Sequence, residues 1–222
     1  MKILTLAELS LGCYMYATTT YDGGYFEFLD ETAPAFDLTQ EPHRKSLLKF
    51  LNSWGCRIEK ADFDAATTQI GEWYDGTSSR LFPTTKGLLS LTDSDLDMVE
   101  EAFEGLAGRR ACKRKTFAKV PTAKVLFALR PNALMPWDKS ILDHFRLNGS
   151  ARSYCQHLRW AKERLQELSG ECTKRGFELA DLPTKIERPL STVPKLIDEY
   201  LYVTLTQNFQ LKELIERWTK WS

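Results

Sequence analysis

The chain has 222 residues, 43% of them apolar, and carries 30 Lys/Arg against 30 Asp/Glu. That length suits one domain or two small ones and is enough to bury a sizeable core. The composition excludes a disordered or fibrous chain, and a net charge of zero at first argues against a nucleic-acid partner. No apolar run approaches the ~18 residues of a membrane span. Met1 to Met15 holds Glu8 where an export signal needs an uncharged stretch. Cys13, Cys56, Cys112, Cys155 and Cys172 are odd in number and form no C-x-x-C pair, which points to reduced thiols in a cytoplasmic protein. His43, His144 and His157 are too far apart for a local ligand pair, so neither a metal site nor a cofactor is expected, and no membrane partner.

In chain order, Thr18 to Phe28 is the only stretch with the Tyr, Thr and Phe content of a strand. Pro42 to Trp54 has apolar residues at 47, 48, 50, 51 and 54, a helical stripe that Gly55 stops. Asp62 to Tyr74 places Phe63, Ala66, Ile70 and Trp73 on one face, and Thr92 to Leu106 opens on Thr92, Asp93 and Asp95, which suit a cap and first turn. Pro121 to Leu129 is a short, strongly apolar helix that Arg130-Pro131 breaks. Helices over Asp138 to Leu147, Ser150 to Leu168 (ended by Gly170), Thr192 to Leu205 and Leu211 to Trp221 complete an all-α chain.

The zero charge is a cancellation. Residues 1–104 hold 8 Lys/Arg against 18 Asp/Glu (−10), and residues 105–222 hold 22 against 12 (+10). An acidic lobe (1–104) and a basic lobe (105–222), joined near Gly105–Gly108, follow from this division. Arg109, Arg110, Lys113, Arg114, Lys115, Lys119, Lys124 and Arg130 fall in a stretch without a single acid. Such a run can neutralise phosphates, or it can be a solvated face that docks on the acidic half.

Within that run, Lys119 stands at the mouth of the apolar helix, and Asp138 follows Pro136-Trp137 at the start of the next helix. An aspartate there accepts from free backbone N–H groups and stays ionised. If Lys119 or Lys124 reaches the same space, an amine meets a carboxylate, a pair suited to imine chemistry at a sugar carbon.

Thr116 to Phe145 resembles the helix-hairpin-helix DNA glycosylases, in particular their 8-oxoguanine glycosylase-like branch. The likeness rests on Lys119, the helix Val125-Leu126-Phe127-Ala128-Leu129, the loop containing Pro131, Pro136-Trp137-Asp138, and a spacing of 19 positions from lysine to aspartate. It implies a two-lobed helical bundle and a DNA partner. It also implies a base-excision activity with or without lyase chemistry, in which Asp138 is the catalytic aspartate and Lys119 the Schiff-base lysine; another register selects Lys124. The family's hairpin is glycine-rich just before the lysine, whereas this chain has Lys115-Thr116-Phe117-Ala118.

Arg109, Arg110, Lys113, Arg114, Lys115 and Arg130 are the candidate DNA contacts. Trp137, Tyr21 and Tyr25 are the candidate pocket walls for an extruded base, with core packing or a hydrophobic lid as their other use. Two further functions fit the same residues. One is a catalytically inactive, glycosylase-like DNA-binding or defence-associated module. The other is a helical interaction protein, a homo-oligomer whose opposite-charge halves face each other.

Overall fold

The computed structural model describes residues 4–77, 80–113 and 115–219. The fold is all-α, with one small β-hairpin. Helices α1 (Leu6–Thr19), α2 (Gly23–Glu31), α3 (Glu41–Ser53), α4 (Phe63–Thr77) and α5 (Asp93–Ala107) make up the first half. Strands β1 (Arg110–Cys112) and β2 (Lys115–Thr116) pair antiparallel and lead into α6 (Lys119–Leu129). The chain continues through α7 (Lys139–Phe145), α8 (Ala151–Lys174), the short α9 (Leu182–Lys185), α10 (Val193–Leu201) and α11 (Leu211–Thr219). No helix is long and apolar enough to cross a membrane among the described residues.

Local chemistry explains the boundaries. Thr92 accepts from the Asp95 N–H while the Asp95 carboxylate accepts from the Thr92 N–H, a reciprocal capping box at the start of α5. Thr5 and Glu8 do the same for α1. Asp138 and Ser150 cap α7 and α8 by accepting from the N–H groups of Ile141 and Ser153.

Helix α6 is central. Every side chain from Thr122 to Leu129 is buried, as for a helix surrounded on all sides; α3 and α5 pack against it. One continuous apolar core extends from Leu4 to Leu201 and draws on both halves of the chain. The two ends meet, because α1 packs on α10 and α11.

Three expectations are corrected. Thr18 to Phe28 is not strand: it forms the end of α1, a turn, and most of α2, and the strands lie at 110–116 instead. Gly170 does not stop α8, which continues to Lys174. A mid-helix glycine costs about 1 kcal/mol, less than the burial of Leu168 and Cys172 on either side of it stabilises. The Thr192 to Leu205 helix switches at Tyr202 to a π turn, Tyr202–Thr206, that bulges toward α7. Trp221 and Arg114 lie outside the described residues.

His157 sits on α8 among Trp137, Phe145 and Trp160, with neither ring nitrogen hydrogen-bonded. Burial pushes its pKa down to about 3. The folded protein therefore resists protonating an imidazole that the unfolded chain protonates near 6.5. Stability is fully present above about pH 6.5 and falls as pH drops from there toward 3, by roughly 1.4 kcal/mol per unit. Urea unfolding at pH 7 and pH 4.5 is expected to differ by about 3 kcal/mol more for the wild type than for His157→Phe. Equal differences would remove this assignment.

Candidate active site

The site begins at the end of α3. Gly55, at φ 81°, turns the chain left-handed, and the Cys56 N–H returns to the Leu51 carbonyl. The last carbonyls of a helix lack intrahelical partners, and the one on Trp54 accepts from Lys124 Nζ at 2.5 Å. Lys124 comes from the buried helix α6 and is only 7% exposed. Its ammonium also lies over the Trp54 ring, 5.6 Å from the centroid. The ring is also held by Phe127, stacked at 5.9 Å, and by Phe50, edge-on at 4.4 Å.

Asp138 faces the same space from the loop before α7. Its Oδ1 accepts from the Ile141 N–H at 2.9 Å, and its Oδ2 accepts from the Thr206 hydroxyl at 2.9 Å. Thr206 is delivered by the π turn, which also presents Tyr202.

Behind Asp138 lies a buried charge cluster from α10. Lys195 is 0% exposed. Its Nζ is 3.3 Å from Asp22, 3.4 Å from Glu199 and 3.6 Å from Asp198, and lies 4.4 Å over the Tyr16 ring and 5.1 Å over Trp54. Burial alone lowers a lysine pKa, but Glu199, Asp198, Tyr16 and Asp22 together hold this one well above its ordinary value. Asp22 also accepts from Trp54 Nε1 at 2.9 Å and from the Tyr16 hydroxyl at 3.1 Å. Glu199 is further held by Arg188 at 2.7 Å and the Ser191 hydroxyl at 2.8 Å.

These groups enclose a cavity of about 330 Å³, whose aromatic walls include Tyr16, Trp54 and Tyr202 and whose charged members are Asp22, Lys124, Asp138 and Asp198. It opens into a wider groove of about 700 Å³, and Trp54, Gly55, Lys124 and Asp138 line both. The far wall of the groove is Lys115, Thr116 and Lys139, so the basic hairpin forms its rim.

The residues singled out from the sequence divide accordingly. Asp138 and Lys124 share the cavity, although Lys124 is held by the Trp54 carbonyl rather than by Asp138. Lys119 goes elsewhere. Its stem lies across Gly149, where a Cβ would fall 2.1 Å from Lys119 Cδ, and it lines neither cavity nor groove. Arg110, Lys113 and Lys115 are exposed on the hairpin, and Arg109 turns to Glu72 at 3.4 Å. Arg130, expected on the basic face, is buried instead, its guanidinium donating to the carbonyls of Phe82 and Leu129.

Tyr21 is at the cavity mouth and 92% exposed; Gly23 lets its ring lie across the start of α2, since a Cβ there would be 2.3 Å from Tyr21 Cζ. Tyr25, expected as a wall, is core: it is buried behind Trp54, with 5.8 Å between centroids. Trp137 backs the cavity but is wholly buried against Phe103 and Tyr154, and its Nε1 donates to the Lys119 carbonyl.

Sequence reasoning missed Trp54 as a cavity wall, together with Asp22, Asp198, Lys195 and Thr206. The i, i+3, i+4 spacing of Lys195, Asp198 and Glu199 is ordinarily that of a solvated helix face. The one available signal was the apolar context of Leu196, Ile197 and Leu201 around it. Comparison with protein-family models, with curated proteins and with solved structures found no match for this chain.

Proposed function

We propose that the protein excises a damaged or modified base from DNA by hydrolysing the N-glycosidic bond, in the manner of the helix-hairpin-helix glycosylases that its sequence resembles. The observation that carries this is the shared lining. One carboxylate, Asp138, stands where an aromatic, base-sized cavity meets a groove rimmed by the basic hairpin. A base extruded from the duplex enters the cavity and stacks on Trp54, while its sugar stays at the junction and its phosphates run along Lys115 and Lys139. Asp138 then faces the anomeric carbon, where a carboxylate stabilises the positive charge that develops as the base departs and takes a proton from the attacking water.

The placement of the lysines favours hydrolysis over imine formation. Lys119 is folded on Gly149, and Lys124 is engaged by the Trp54 carbonyl. Duplexes carrying single base lesions, incubated with the protein, are therefore expected to yield free base and intact abasic strands, with no adduct on borohydride reduction. Absence of base release from every lesion tested overturns the proposal.

A binding module without chemistry is favoured by one feature, that both Asp138 oxygens already have donors. It predicts DNA affinity with no product. Either reading requires the hairpin. Replacing Arg110, Lys113 and Lys115 by Gln is expected to weaken duplex binding more than tenfold at low salt. It should also flatten the log K against log salt slope by about 2–3. A slope equal to the wild type's, measured by fluorescence anisotropy, removes the hairpin from the DNA interface.

A further inference from the structure

Asp198 has no role in the steps above, yet it lines the same cavity as Asp138. It projects from α10, and among the described residues its ion pair is with Lys195, 3.6 Å from Oδ2. The groups that face it are Lys195 and Glu199 on its own helix, Tyr16 from α1, Asp22 from the α1–α2 turn, Lys124 from α6 and Asp138 from the loop before α7.

We infer that Asp198 is the general acid of the site, donating a proton to the departing base while Asp138 serves the sugar and the water. This rests on the base-excision reading. Two carboxylates in one cavity divide acid and base work when their surroundings differ, and here they do. Asp138 accepts from a backbone N–H and a hydroxyl at the end of a helix. Asp198 is largely buried, with 15% of its side chain exposed: burial pushes its pKa up to about 7, Asp138 and Glu199 push the same way, and Lys195 and Lys124 oppose them. At neutral pH a good part of Asp198 is thus protonated.

The step balances as a hydrolysis. The bond between the base nitrogen and the sugar carbon breaks, and its electron pair leaves with the base. The Asp198 proton moves to a ring atom of that base. Water adds its hydroxyl to the sugar carbon and gives its proton to Asp138. A proton then returns from Asp138 to Asp198 through solvent, restoring both. The substrate class follows: the site is built for a neutral base, which needs a proton to leave, rather than for a base that is already cationic.

The test compares wild type and Asp198→Asn under single turnover on duplexes carrying one neutral lesion (8-oxoguanine, hypoxanthine or ethenoadenine) or one cationic lesion (7-methylguanine), from pH 5 to 9. The wild type should release a neutral base at a rate that falls as pH rises through about 7. Asp198→Asn should lose about a hundredfold on that base and lose the falling limb, while keeping 7-methylguanine release within about threefold of the wild type. An unchanged rate on the neutral base overturns the inference and leaves base excision standing, and so does an equal loss on both kinds of lesion. Where only neutral bases are released, a retained alkaline limb in Asp198→Asn, at an unchanged melting temperature, also overturns it. No release by the wild type from any duplex overturns the base-excision reading itself.

Discussion

Asp138→Asn is expected to cut base release by about a thousandfold or more, a loss of about 4 kcal/mol of transition-state stabilisation. The substitution is a narrow one. Asparagine caps a helix about as well as aspartate, so the bond from the Ile141 N–H to Oδ1 survives. The Thr206 hydroxyl, which donates to Oδ2, can rotate and accept from the new amide instead. Only the negative charge goes. A melting temperature within a few degrees of the wild type, with duplex binding retained and product absent, is the predicted combination. Full activity in Asp138→Asn would take the carboxylate out of the chemistry.

Lys195→Met is expected to have the largest effect on stability. Methionine fits the space of the lysine stem but leaves Asp22, Asp198 and Glu199 facing one another, with Arg188 on Glu199 and the more distant Lys124 as cations beside them. Removing one partner from a buried charge cluster costs about 3–5 kcal/mol, which for a chain of this size lowers the melting temperature by roughly 10 °C. The double variant Lys195→Met/Asp22→Asn should recover about 1 kcal/mol or more, because removing the Asp22 charge relieves part of the repulsion left in the cluster. Calorimetry on the three proteins decides it, and a single-variant shift of only a degree or two would mean that water or counterions reach Lys195.

Much of the fold was legible because its signals are local. The cap at Thr92, the stop at Gly55 and the break at Arg130-Pro131 are matters of neighbouring residues, and the helices begin and end close to them. Gly170 misled because the burial of Leu168 and Cys172 overrides a propensity of about 1 kcal/mol. The hairpin at 110–116 was hidden in a charged stretch with no alternation of apolar residues. The site was legible on one side only. Asp138 and Lys124 stand close in sequence, on a cap and on an apolar helix. Their partners do not. Trp54 meets Lys124 across 70 positions, and Thr206 meets Asp138 across 68. Nothing in local periodicity links such pairs. Lys119 and Tyr25 were plausible by type, and packing, over Gly149 and behind Trp54, assigned them elsewhere.

The meeting of α1 with α10 has a consequence for the order in which the site comes into being. The cavity takes walls from residues 16–22, from 54, from 124–138 and from 198–202, and Thr206 anchors Asp138 just beyond them. A chain emerging from the ribosome has its central helix and its basic hairpin long before it has a cavity. Contacts that close over such sequence separations form late. The nascent protein therefore has its basic hairpin before it has a pocket, and on the proposed reading a surface for phosphates precedes a site for the base, which is completed only when the final tenth of the chain folds back onto its beginning.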